Sequence, residues 1–394
     1  MTSTISGRVQ EILTELNLNQ RQLATQIELD EDKLSKAMNG VRNFTSLELA
    51  RIAEISGRTV EWLISGISPR EVAFAARASH PHHEDFIDPG QRVAKTFIDA
   101  HDALLILNRA RSIPNTPSLK DSGSFVADGQ AMANWASSRV TTKELLDDTS
   151  SFVLALEEKF GVNIASTDEL PAHCDGLSFE EGDFRLILVA TTPNWTRRRF
   201  TIAHELGHIL WGDARRTWLS EEVRTTTSED YREKRANSFA ANFLMPEGPI
   251  RDFLDGRVLD ELTFHALAMR FRVSPSALVA RLYKLRLIEP GQVGVFRTYR
   301  ALDSARAADA MPDLLAEQNI SNMAMPPLFM LSQLVRAYLD GETTTRHLEK
   351  LSGISGEMWR SLLHSAPAAI EPADDLAGDD ENNPDTAREL SFLP

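Results

Sequence analysis

His204-Glu205-Leu206-Gly207-His208 is the run in this 394-residue chain whose residue types and spacing could do chemistry. Two histidines at i and i+4 fall on one face of a helix, one turn apart, where their imidazoles can share a tetrahedral Zn²⁺. Glu205 follows the first histidine and points slightly aside. From there its carboxylate can take a proton from a water that the metal activates. The flanks, Phe200-Thr201-Ile202-Ala203 and Ile209-Leu210-Trp211, are those of a buried helix. On such a helix two histidines can also be satisfied core residues, so a third ligand is needed to separate the readings.

A histidine six residues beyond His208 is excluded, because Trp211 and Ala214 stand where that pattern needs glycine and histidine. The run from Tyr231 to Ala240 serves better. Ala236, Phe239, Ala240 and Phe243 form a helical stripe. Glu233 and Asn237, four apart, lie one above the other on that helix. Glu233 as third ligand completes a His₂Glu set with one position open for water, the arrangement of catalytic zinc. Asn237 can then hold a ligand from behind. Glu229 and Asp230 lie close enough to compete for Glu233's role.

The stretch Arg199-Phe200-Thr201-Ile202-Ala203-His204-Glu205-Leu206-Gly207-His208-Ile209-Leu210, followed by Glu233-x-x-Ala236-Asn237-x-Phe239-Ala240-x-x-Phe243-Leu244-Met245-Pro246, resembles the ImmA/IrrE family of metallopeptidases over residues 150–290. The resemblance implies a zincin-like core, His204, His208 and Glu233 as ligands and Glu205 as catalytic base. It also implies proteolysis of a partner protein, usually a helix-turn-helix repressor. Arg235 departs from the family pattern, which often has an acidic residue there, and is expected to leave the ligands untouched.

Residues 1–66 read as five short helices. Their apolar stripes are Val9/Ile12/Leu13/Leu16, Leu23/Ala24/Ile27, Leu34/Ala37/Met38, Leu47/Leu49/Ala50/Ile52/Ala53 and Val60/Leu63. Asn19-Gln20-x-x-Leu23-Ala24, Leu34-Ser35-x-x-Met38-x-Gly40 and Leu49-x-x-Ile52-Ala53 resemble a phage-repressor or Xre-type helix-turn-helix. In that fold the second helix of the motif enters the major groove. By position Lys33, Ser35 and Lys36 would reach DNA, with Gln20 supporting. Two features oppose this: Glu28 replaces the usual turn glycine, and Asp30-Glu31-Asp32 opens the recognition helix. The segment holds seven basic and nine acidic side chains, a poor footprint for phosphate. Asp30 is explained as an N-cap. The opposing reading is therefore a module kept for protein docking or dimerisation.

The chain is too long for one compact core. The expected organisation is a helix-turn-helix domain over 1–66, a helical connecting region over 67–140, a metallopeptidase domain over 141–290, a helical region of unknown role over 291–368 and an acidic disordered tail over 369–394. The fold class expected is α+β and mostly helical, with a small sheet beside the active-site helix. Strand signals fall at Val162–Ile164, Gly176–Phe179 and Arg185–Ala190, with a turn at Gly182-Asp183. Ser112–Gly129 reads as loop, Thr142–Phe160 as helix, Ser274-Pro275 as N-cap and N1, and Thr344–Leu363 as helix. His80-Pro81-His82-His83 reads as a surface loop rather than a metal cluster, since a proline-broken loop offers no fixed geometry.

One cysteine, Cys174, excludes an internal disulfide framework and suits a reducing cytoplasm. No stretch is long and apolar enough to span a membrane. The net charge of −15 argues against broad nucleic-acid affinity, although residues 371–394 carry eight acids against Arg388. The function expected is a cytoplasmic zinc endopeptidase acting on a protein substrate, with operator DNA as a possible second partner and a homodimer as a possible state. The alternative is a DNA-binding regulator or antitoxin-like protein whose peptidase-like domain is a sensor or scaffold.

Overall fold

The computed structural model describes residues 4–66 apart from 28, 57 and 59, then 84–170, 174–214 and 226–364. Glu28, the His80–His83 run and the acidic tail lie outside the described residues. Five helices come first: α1 (Ile5–Glu15), α2 (Gln20–Gln26), α3 (Glu31–Met38), α4 (Ser46–Ser56) and α5 (Val60–Ser65). Val9, Ile12, Leu23, Leu34, Ile52 and Leu63 meet in a core drawn from these helices alone. Arg8 ties α1 to the end of α5 by donating to the carbonyls of Leu63 and Ile64 at 2.9 and 2.6 Å. The Asp30 carboxylate caps α3, accepting from the N–H groups of Asp32 and Lys33.

Next come α6 (Glu84–Ile106), α7 (Phe125–Ser137), α8 (Thr142–Leu146) and α9 (Thr149–Phe160). The loop expected to reach Gly129 ends at Ser124, whose hydroxyl caps α7. Gly129 lies inside the helix as a contact residue: a Cβ there would stand 2.6 Å from the Arg235 carbonyl oxygen and 2.8 Å from the Phe239 nitrogen. The helix expected across Thr142–Phe160 is interrupted at Asp147-Asp148, where the Asp148 carboxylate takes the N–H groups of Ser150 and Ser151 and restarts it as α9.

Three strands follow, β1 (Asn163–Thr167), β2 (Gly176–Glu181) and β3 (Phe184–Ala190), in spatial order β1-β3-β2. β1 runs parallel to the central β3, and β2 returns antiparallel to it through the turn at Gly182, φ 59°. Strand side chains alternate between faces. Ile187 and Val189 of β3 therefore join one core and Phe184, Leu186 and Leu188 the other.

The first face is covered by α10 (Trp195–Trp211), with α11 (Thr226–Leu244) packed against it. The chain continues through α12 (Glu247–Leu254), α13 (Glu261–Phe271), α14 (Pro275–Lys284), α15 (Pro290–Phe296), α16 (Ala301–Ala307), α17 (Met311–Ser321), α18 (Leu328–Leu339), α19 (Arg346–Ser352) and α20 (Gly356–His364). Ser274 caps α14 with Pro275 in its first turn. The helix expected across Thr344–Leu363 is two, parted by Gly353 at φ 71°. The second face of the sheet is covered by α6 with Met330, Leu334, Leu348 and Leu351 of α18 and α19. The outer edge of β1 is met at Ser166, which exchanges two main-chain hydrogen bonds with Met325. The architecture is α+β and mostly helical. No helix among the described residues is long and apolar enough to cross a membrane.

Candidate metal centre

α10 begins at Asn194, whose side chain accepts from the Arg197 N–H at 3.2 Å. It ends at Gly212 in the left-handed conformation, φ 75°. The helix places His204 and His208 on one face, with Nε2 atoms 3.0 Å apart. Gly207 lies on the side facing α11, where a Cβ would stand 3.0 Å from the Phe239 ring. The bare backbone there lets α11 close on α10 and bring Glu233 over the histidines. Its carboxylate oxygens lie 3.5 Å from His204 Nε2 and 3.3 Å from His208 Nε2. Ligating atoms of the three residues all fall within 4.8 Å of one another. Neighbouring ligand atoms of a zinc tetrahedron with bonds of about 2.0–2.1 Å are about 3.3 Å apart, so the donor set fits such an ion.

The hydrogen bonds behind the ligands agree with that fit. Asn237 Oδ1 lies 2.9 Å from His204 Nδ1, which assigns the proton to Nδ1 and turns the Nε2 lone pair towards the cluster. Asp213 does the same for His208, with its Oδ2 3.2 Å from Nδ1. The turn at Gly212 folds Asp213 back so that its N–H reaches the His208 carbonyl. Asp213 is held in turn by Arg235 at 2.8 and 3.0 Å. The Arg235 guanidinium lies over the Trp211 ring at 4.2 Å. Arg235 touches none of the three candidate ligands itself, and bears on His208 only through Asp213.

The local field favours a cation. Burial disfavours a charged His208, yet the carboxylates of Asp213 and Glu233 outweigh it, and its pKa is pushed up to about 9. Burial would raise the Asp213 carboxyl, but His208 and Arg235 hold it below its ordinary value. Asp230, a competing third ligand by sequence, instead pairs with Lys234 at 2.5 Å.

Glu205 is buried beside the cluster, 2% exposed. β2 positions it. Leu177 and Phe179 enter the core on the far face, so Ser178 turns towards α10 and its hydroxyl donates to Glu205 Oε2 at 2.8 Å. Arg199 is wholly buried and points away from the centre. It donates to the Leu145 and Asp147 carbonyls and fixes the α8–α9 junction, while burial lowers its pKa to about 9. Asp213, Ser178 and the link through Arg235 escaped the sequence reading. The first follows His208 by five residues and the second precedes Glu205 by 27, spacings that no helical or strand period reads.

The other sequence-selected residues lie apart. Gln20 opens α2; Lys33, Ser35 and Lys36 are on α3, with both lysines exposed.

Two histidines and a glutamate from two packed helices, with a further glutamate beside them and a small sheet above, make a candidate metal centre. Residues 157–283 match the family described as Peptidase_M78, IrrE N-terminal-like domain, and the whole cluster lies inside that segment. Among solved structures, a Mycobacterium tuberculosis transcriptional regulator matches at 18% identity over 48% of this chain, with a TM-score of 0.27. The match covers 51% of that chain, about half its length, and so loose a superposition carries no argument. No curated protein matches.

Proposed function

We propose that this chain is a zinc-dependent endopeptidase that cuts a partner protein. The observation that carries the reading is the convergence of His204, His208 and Glu233 with Glu205 buried beside them and held by Ser178. His204, His208 and Glu233 would hold the zinc, which when bound supplies Lewis-acid chemistry, polarising a peptide carbonyl and acidifying a water. Glu205 takes a proton from the attacking water as the C–O bond forms. It passes that proton to the nitrogen as the C–N bond breaks. Asn237 and Asp213 keep the imidazoles oriented throughout.

The edge of β2 supports a peptide substrate. Asp175 accepts from Ala190 of β3, so alternate residues Gly176, Ser178 and Glu180 turn their main-chain groups outward. Glu180 donates to Ala214. Gly176 and Ser178 are the positions where an extended substrate would add as an antiparallel strand. A helix-turn-helix repressor is the partner class that the family resemblance implies.

Zinc measured by mass spectrometry on purified protein tests the reading, followed by incubation with repressors encoded beside it. About one zinc per chain is expected, lost in His204→Ala. Glu205→Gln should keep the zinc and abolish cleavage, because the amide is nearly isosteric but is no base at neutral pH. Full zinc in the first variant, or wild-type cleavage by the second, overturns the assignment. An intact zinc site with no cleavage by the wild type would favour a sensor or scaffold instead.

A further inference from the structure

Glu233 stands ahead of the part of α11 that the core holds. Ala236, Phe239, Ala240 and Phe243 are buried. Asp230, Arg232 and Lys234 are exposed, and Glu233 among them is only partly covered. A helix end with few buried contacts frays unless something ties it down. The two histidines, buried in the middle of α10, have no such need.

Tyr231 supplies a tie at this end. Its hydroxyl lies 2.7 Å from Asp128 Oδ2 on α7 and 2.9 Å from Asp121 Oδ1 in the loop before that helix. A hydroxyl has one proton to donate. The shorter contact and the burial of Asp128, 3% exposed against an exposed Asp121, assign it to Asp128. Asp128 also accepts from the Ser122 N–H at 3.1 Å, so its carboxylate is held from both sides. A hydroxyl bound to a buried carboxylate is among the stronger hydrogen bonds. Tyr231, Arg235 and Ser238 are spaced by four and three residues and share the face of α11 that meets α7. The Arg235 carbonyl and Ser238 abut Gly129, and Ser238 Oγ donates to the Val126 carbonyl. Glu233 and Asn237 come two residues after Tyr231 and Arg235, about 200° round the helix, and face His204. α11 is thus a spacer between α7 and the histidines, and where its outer end seats on α7 sets how far Glu233 reaches.

We propose that Tyr231 and Asp128 are positioning residues for the third ligand. Their hydrogen bond seats the outer end of α11 on α7. That seating keeps the Glu233 carboxylate within reach of an ion held by His204 and His208. The inference rests on the metal-binding part of the reading above and is independent of peptide cleavage.

In the test, the full-length wild type and its variants are stripped of metal and titrated with zinc against a competing chelator. Separately they are loaded with cobalt, whose visible absorption reports coordination geometry. Tyr231→Phe keeps the ring packed edge-on against Phe125, at 6.0 Å, and removes only the hydroxyl. It should weaken zinc binding about tenfold, the low end of what loss of a supporting partner costs, and reduce the absorption of the cobalt form. Asp128→Ala should do the same. Asp128→Asn keeps an acceptor for the hydroxyl and should retain most of the affinity. Tyr231→Phe combined with Asp128→Ala should lose no more than the larger single loss, because both sever one bond. The Asp128 series carries the test if Tyr231→Phe does not fold. A role in stability alone would lower the melting temperature of the metal-free chain and leave zinc affinity and cobalt absorption at wild-type values, and that result overturns the proposal. Losses that add in the double variant overturn it too, since the two residues would then act through separate bonds. A wild type that takes up neither metal overturns instead the metal centre on which the proposal rests.

Discussion

Asp213 is the residue on which the centre's geometry leans without being one of its donors. It holds His208 Nδ1 on one side and Arg235 on the other. Asp213→Asn keeps an acceptor for the imidazole but removes the charge that steadies it and leaves Arg235, 6% exposed, without an anion. Loss of such a partner typically weakens metal binding by about 10–100-fold. A zinc titration against a competing chelator should therefore show a weaker Kd in that range with the stoichiometry unchanged. An unaltered Kd would mean that packing alone orients His208. Glu205→Gln belongs to the same scale with the opposite signature, affinity kept and turnover lost.

The pairing of α7 with α11 decides where Glu233 and Asn237 stand. Gly129 makes the close approach possible. Gly129→Ala would gain up to about 1 kcal/mol of helix propensity. Forcing the new methyl against the Arg235 carbonyl and Ser238 costs about 1–3 kcal/mol, so the net effect should be destabilising. It should also shift α11 and weaken zinc binding, although both histidines are untouched. Thermal unfolding and zinc titration of the variant check this, and a wild-type melting temperature would contradict it. For α3 the question is whether it meets DNA. Lys33 and Lys36 are exposed, but the helix opens with Asp30, Glu31 and Asp32. Repulsion from these acids should keep binding weak and salt-sensitive. In a mobility-shift assay on its own promoter at two salt concentrations, the full chain should bind weakly. Lys33→Glu with Lys36→Glu should abolish what binding there is. Tight binding, or binding unchanged by the double substitution, would place any contact elsewhere.

At the scale of the whole molecule, Glu157 links α9 and the adjacent β1 to the distant α18. Fully buried on α9, it accepts from the Ile164 N–H of β1 at 3.0 Å and the Phe329 N–H of α18 at 2.8 Å. Burial pushes its pKa up from 4.5 to about 7, against those two donors. An acid raised on folding holds its proton longer in the folded chain. Below 4.5 both states are protonated and the group makes no difference. Between 4.5 and 7 the unfolded chain ionises first, so stability falls as pH rises. Above 7 the cost is complete, on the order of 3 kcal/mol. Urea unfolding at pH 5 and pH 8 should show the wild type losing stability relative to Glu157→Gln as pH rises. A difference independent of pH would remove Glu157 as the titrating group. Thr149 and Arg272 close on Glu317 of α17 in a second link of this kind.

Within one element the chain is legible from its sequence. A helix repeats every 3.6 residues, so His204 and His208 share a face wherever that helix is packed, as do Glu233 and Asn237. Alternation and turn residues likewise placed the three strands, and Asp30 and Ser274 marked helix starts. Tertiary structure decided what meets across elements. That α11 closes on both α10 and α7 depends on the bare backbones of Gly207 and Gly129, the second of which reads as loop in the sequence. That Ser178 rather than Leu177 meets Glu205 depends on which face of β2 the second core covers. That core is completed by α6, α18 and α19, segments separated by more than 200 residues. Local signals extend over a few residues, whereas the burial that fixes these contacts is shared by the whole fold. Asp213, whose carboxylate acquires its partners only after the turn at Gly212 is packed against α11, carried no mark in the sequence that periodicity could read.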